Sequence, residues 1–171
     1  TREIAKQAPG HVVEHDECFT CDRQIVSIRF WTRTGKGSLA AVQAEFGSVL
    51  STKQGLATTE RRHGEMERHG CGDHSCTYAG RWAVAVPHYF ASIVVYYTDR
   101  VVTGMQIKNS DGNESPLFGD TGKHAKVFSF GSGVCGITVA AGAAIDALVL
   151  KAREVTHNKY GLISCEEAFL A

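Results

Sequence analysis

The sequence is short of proline, with three in 171 residues, of methionine and tryptophan, with two each, and of any surplus of charge. Eighteen Lys and Arg balance eighteen Asp and Glu, and the two signs are interspersed. No basic stripe is available to track a phosphate backbone, so no nucleic-acid partner is expected. No apolar run approaches the roughly 18 to 20 residues of a membrane-spanning helix, and direct membrane insertion is not expected either. The first residues, Thr1-Arg2-Glu3, read as a processed mature end. What is present is 43% apolar residues, enough at this length for one sizeable core and a single domain.

Six cysteines are many for a cytosolic chain of this size, and an even count suits pairing in an oxidising compartment. A secreted, extracellular protein is the expectation. Cys18 and Cys21 are close in sequence, as are Cys71 and Cys76, while Cys135 and Cys165 remain. This suggests local pairs plus one bridge fastening the C-terminal tail, one of about fifteen possible pairings. Zinc is the competing reading, because Cys18-Phe19-Thr20-Cys21 and the stretch from His69 to Cys76 offer soft ligands. The spacing matches no standard finger, so neither metal nor cofactor is expected. Cys135, between Val134 and Gly136, also reads as a small buried hydrophobe. A hydrolase built on Cys71 or Cys76 with His69 or His74 is conceivable, since a thiolate beside an imidazole is a competent nucleophile. The disulfide-like spacing and the lack of an oxyanion-hole context argue against any enzyme.

Period-two alternation and β-branched or aromatic runs dominate the rest. Ile25 to Trp31 alternates, Thr34-Gly35-Lys36-Gly37 turns, and Leu39 to Phe46 returns antiparallel as a hairpin. Residues 47 to 80 are polar and read as long surface loops carrying Cys71 and Cys76, with room for one short strand. Further strands are predicted at Trp82 to Val86, Ser92 to Tyr97, Val101 to Lys108, Lys126 to Phe130, Gly136 to Ala140 and Ala147 to Lys151. Ala140 to Ala144 has helical propensity, but lying between strand patterns with Gly142 at its centre it is predicted to turn. Short strands with frequent turns indicate an all-β sandwich, barrel or prism. After Leu150 the chain becomes polar, and residues 156–171 read as a tail in which Leu162-Ile163 and Phe169-Leu170 could pack on the domain or on another subunit. Asn113-Glu114-Ser115 fits a glycosylation acceptor on a turn, although Pro116 follows it, and Asn113 reads equally as a plain turn residue.

Residues 101 to 150 carry a more specific signal. Val101 to Lys108, Glu114-Ser115-Pro116-Leu117-Phe118-Gly119, Gly122, Val127 to Phe130, Gly136 to Val139 and Gly142 to Leu148 resemble, in content and order, the C-terminal half of a jacalin-related lectin. Ser115 stands where the family's turn has a glycine. The resemblance implies an all-β fold, a β-prism of three Greek-key four-stranded sheets with pseudo-threefold symmetry. Residues 1–155 would form that lectin domain, with 47–80 as its long disulfide-bearing loops, and 156–171 the tail. It also implies a glycan or glycoprotein partner, bound through the Gly-x-x-x-Asp loop Gly142-Ala143-Ala144-Ile145-Asp146. Gly10 is the candidate for the family's N-terminal glycine beside the sugar, and Tyr97 and Asp99 for its third loop.

The chemistry of the loop is simple. A pyranose presents vicinal hydroxyls, and the ionised Asp146 can accept hydrogen bonds from two of them. A tight turn can aim the N–H groups of Ala144 and Ile145 at the sugar's oxygens, with Gly142 supplying the sharp bend. The blander reading is that Asp146 caps a turn through local amides. Ala143 and Ala144 offer less surface than an aromatic residue for stacking on a sugar. A few hydrogen bonds leave a dissociation constant near the millimolar range, roughly −4 kcal/mol, so avidity through a homo-oligomer is expected. The alternative functions on the same fold are a sugar-blind structural or extracellular coat protein, or the targeting subunit of a toxin assembly.

Overall fold

The structure, a computed structural model, describes residues 12–17, 23–48, 76–85, 87–141, 144–157 and 163–169. The described residues are all-β, with eleven strands. These are β1 Val12–Glu17, β2 Arg23–Arg33, β3 Leu39–Ser48, β4 Cys76–Ala83, β5 Phe90–Tyr97 and β6 Val102–Asn109. They continue with β7 Phe118–Gly119, β8 His124–Ser129, β9 Val134–Ala141, β10 Ile145–His157 and β11 Ile163–Phe169.

Three sheets result, ordered β1-β9-β10-β11, β3-β2-β4 and β7-β6-β5-β8. In each, consecutive strands pair as a hairpin and a further strand lies on the outer side of the hairpin's first member: β8 beside β5, β4 beside β2, and β1 beside β9. In β7-β6-β5-β8 this is the order of a Greek key. The sheet built on β2 and β3 has three strands among the described residues, where four were expected. The 155/156 boundary drawn from sequence falls inside β10, and the chain beyond it pairs with the domain as β11, from Lys151↔Phe169 to His157↔Ile163.

The alternation that marks the strands sorts their side chains. Ile25, Ile28 and Phe30 of β2, Ile93 and Val95 of β5, Met105 and Ile107 of β6, and Ile137 and Val139 of β9 all enter one contiguous core. Bringing these side chains together on the core face holds their strands in register. Phe118 stacks on Phe30, with centroids 4.1 Å apart and planes within 8°. That contact ties the two-residue β7 to the neighbouring sheet. Gly80 leaves room for the same ring, because a Cβ there would stand 3.1 Å from it. Ser115, the departure from the family's turn, is buried and accepts the Ile107 N–H on its hydroxyl at 2.8 Å, extending β6's pairing.

The cysteines divide. Cys76, which opens β4, is disulfide-bonded. Cys135 is buried and in no disulfide, and its Sγ donates to the Ala152 carbonyl at 3.6 Å. The suggested Cys135–Cys165 bridge is therefore not made, and the sheet explains why. Cys135 lies on β9 and Cys165 pairs with Val155 on the opposite side of β10. Two strand spacings of about 4.8 Å exceed the roughly 7 Å Cα separation that a disulfide tolerates. Cys18, Cys21 and Cys71 lie outside the described residues.

Candidate functional site

The first strands of the three hairpins begin side by side. A Cβ on Gly133, just before β9, would stand 2.6 Å from the Gln24 side-chain oxygen near the start of β2 and 3.1 Å from Tyr89, just before β5. Gln24 also donates from Nε2 to the His88 carbonyl at 3.1 Å. The far ends of β2, β5 and β9 therefore share the opposite end of the molecule. That end carries the turns 33–39 and 97–102 and the passage from β9, which ends at Ala141, to β10, which starts at Ile145. The chain also enters β1 there, since Val12 pairs with Ala141.

Each turn is followed by the same irregularity. Pairing skips Ala40 between Thr32↔Leu39 and Trp31↔Ala41, Thr103 between Tyr97↔Val102 and Tyr96↔Gly104, and Asp146 between Ile145↔Ala141 and Ala147↔Ala140. In all three hairpins the second residue of the returning strand is thus a β-bulge, which re-aims a side chain that regular pleating would place otherwise. Ala40 and Thr103 are buried, whereas Asp146 is half-buried with Oδ2 closed off from solvent. Only the third hairpin places a carboxylate at this position.

The predicted site residues distribute as follows. Ala144 is half-buried in the turn, and Ile145 is fully buried in the core, so its side chain anchors the loop and faces away from any ligand. The stretch from Ala140 joins strand to strand, β9 ending at Ala141 and β10 starting at Ile145. Gly142, Ala143 and Gly10 lie outside the described residues. Tyr97 and Asp99 stand on the 97–102 turn at the same end. Tyr97 packs partly on the core with its ring tilted against His124, centroids 5.2 Å apart. Asp99 is occupied: Oδ2 accepts from Lys123 Nζ and Oδ1 faces His124 Nε2, each at 3.2 Å. The Lys123 bond first, then His124, holds its carboxyl below the usual carboxylate range. Asp99 therefore clamps the start of β8 to this turn.

Sequence reading missed a second charged group. Glu45 of β3 is fully buried, and its Oε1 accepts from Arg81 Nε at 2.9 Å and Arg29 Nε at 3.1 Å. Burial pushes its carboxyl up, but the Ser27 hydroxyl and the two guanidinium groups outweigh that and leave it below the ordinary value. The cluster pins β3, β2 and β4 together and lies on a sheet face, away from the three turns. Alternation around Glu45 marks a strand, but its partners are 16 and 36 residues away in sequence, so nothing local reveals the pairing.

No protein-family model matches the sequence, and no curated protein matches it. Solved structures do. Artocarpin in complex with mannotriose superposes with a TM-score of 0.60 at 14% identity, over 83% of this chain and 89% of that one. The lectin MPA complexed with T-antigen disaccharide gives 0.57 at 14% identity, over 81% and 96%. Calystegia sepium agglutinin gives 0.56 at 12% identity, over 87% and 92%. The chain has the fold of the jacalin-related lectins.

Proposed function

We propose that the protein is a carbohydrate-binding lectin that takes a glycan through the segment 142–146, at the end of the molecule where β9 passes to β10, with Asp146 accepting a sugar hydroxyl. The observation that carries this reading is the bulge at Asp146, the second residue of β10. Of three equivalent hairpins, this one alone puts a carboxylate there, and the chain enters β1 beside it. Partial burial strengthens hydrogen bonds to the charge by lowering the local dielectric, while the bulge holds the carboxylate in place before the ligand arrives. The lectins sharing the fold include complexes with mannotriose, a biantennary N-glycan and T-antigen disaccharide, which makes mannosides and that disaccharide the first probes. Gly10 supplies a further amide to the sugar, and the protein acts outside the cell as a homo-oligomer whose repeated sites raise weak affinity to useful avidity.

The test is direct. Replacing Asp146 by Ala removes a charge-assisted hydrogen bond worth about 1.5 to 3 kcal/mol, so retention on immobilised mannotriose or T-antigen disaccharide should fall at least about tenfold. The thermal midpoint should stay within about 2 °C, as for other changes outside the packed core. Equal retention by parent and variant would place the site elsewhere.

A further inference from the structure

The sheet β7-β6-β5-β8 ends on β8, which pairs with β5 alone among the described residues. One hydrogen bond gives the direction of its remaining backbone groups. Phe130 donates its N–H to the Ala91 carbonyl at 2.8 Å, in the register that joins Phe128 to Ile93 and Lys126 to Val95. The even-numbered residues of β8 therefore bond to β5, and Ala125, Val127 and Ser129 turn their N–H and C=O groups away from the sheet. All three residues are exposed, Val127 to 62%.

Such an edge is a template for a further strand, and chains guard their edges with proline, bulges or charge. β8 has little of this. It contains no proline, and its pairing with β5 runs without a register shift. Its one lysine, Lys126, is half-buried with Nζ over the Phe128 ring, 5.3 Å from the centroid, and His124 is held at the strand's first position by Asp99.

We propose that β8 pairs antiparallel with β8 of a second copy of this chain, Val127 meeting Val127 on a two-fold axis normal to the sheet. In that register Ala125 of each copy meets Ser129 of the other, so every outward N–H and C=O of these residues gains a partner. Charge selects the register. Lys126 falls opposite Phe128 of the second copy, whereas sliding two residues one way would set Lys126 against Lys126, where like charges repel. Sliding the other way would set Ala125 against Gly131, beyond the end of the strand. On the exposed face Val94, the partner of Val127 within the sheet, extends the contact, so Val94 and Val127 of both copies form one apolar stripe across the junction. An unrelated extended peptide would meet the same backbone groups without this match of side chains.

The pairing also sets the direction of the two sugar-facing ends. His124, the first residue of β8, pairs with Tyr97 at the end that carries Asp146, and the two-fold axis reverses the strand. The two ends therefore point in opposite directions, and the dimer bridges two glycan-bearing surfaces. That consequence rests on the lectin reading above, while the pairing of β8 stands apart from it.

Sedimentation equilibrium of the full chain without sugar tests the pairing and should give twice the 18.5 kDa of one chain. Val127→Lys, at an exposed position, sets two ammonium groups side by side on the axis and should weaken association at least about tenfold. Val127→Thr, β-branched and uncharged, should keep it. A parent that stays monomeric from micromolar to millimolar concentration, or a Val127→Lys variant that dimerises as tightly as the parent, would overturn the interface. Beads coated with mannotriose or with T-antigen disaccharide read the consequence: the parent should clump one kind of bead, and Val127→Lys should bind the same beads without clumping them. Binding without clumping by a dimeric parent would overturn the opposed arrangement. A dimer that binds neither bead would keep the interface and remove the lectin reading.

Discussion

Asp146, Asp120, Asp99 and Glu45 are four carboxylates with different commitments, and their partners decide what each does. Glu45 has two arginines and no solvent, so its value is structural. Replacing it by Gln strands two guanidinium groups, at a cost of about 2 to 3 kcal/mol, below the figure for a fully buried pair because Arg29 and Arg81 keep 40% and 29% of their side chains exposed. Urea denaturation should show that loss at neutral pH. Because its folded value lies below the ordinary 4.5, the Glu45 contribution is complete above that pH and is lost as pH falls through the lower folded value. The parent's urea midpoint should therefore drop more steeply below pH 4.5 than that of Glu45→Gln. Asp146 was legible in the sequence because a turn and two strands in the right order framed it. Asp120 was not singled out, since Gly37, beside which its carboxylate lies, comes more than 80 positions earlier and only the folded chain brings them together.

Strands rich in core side chains were the easiest elements to read. Ile25 to Trp31 and Leu39 to Phe46 carry side chains that fill the core, such as Ile28, Phe30, Val42 and Phe46, and both appear as β2 and β3, extended by a few residues. Where a strand owes its place to pairing alone, the pattern fails. The Val12–Glu17 run has four polar residues in six, β7 is two residues long, and the Ile163–Phe169 run lay in what read as a solvated tail. The start of β4 was read as loop because Thr77, Tyr78, Ala79 and Gly80 carry no apolar periodicity; the pairing of Thr77 with Thr32 and of Tyr78 with Trp31 decides it. The shortest strand is also the most exacting. A Cβ on Gly104 would stand 2.3 Å from the Asp120 carbonyl oxygen, and backbone cannot yield as a side-chain tip can. Gly104→Ala should cost about 2 to 3 kcal/mol, lowering the thermal midpoint by roughly 4 to 12 °C.

At the scale of the molecule, three sheets with one strand order surround one core, yet their ends have diverged to a carboxylate, a threonine and an alanine at a shared position. The common architecture was visible only through family likeness, because neither the repeat nor the packing of three sheets leaves a periodic trace in the sequence. Two of the sheets are assembled from neighbours in the chain, while the third is not: β1 pairs with β9, Val12 meeting Ala141. Closing so long a loop is slow relative to forming local hairpins. Both tryptophans, Trp31 and Trp82, report on the β3-β2-β4 sheet. In refolding from urea, tryptophan fluorescence should recover before retention on immobilised sugar does, and simultaneous recovery would count against a late-closing sheet. Because β9 follows β1 by more than a hundred positions, a ribosome must release the chain through Ala141 before β1 can pair, and a nascent chain lacks the proposed sugar site until then.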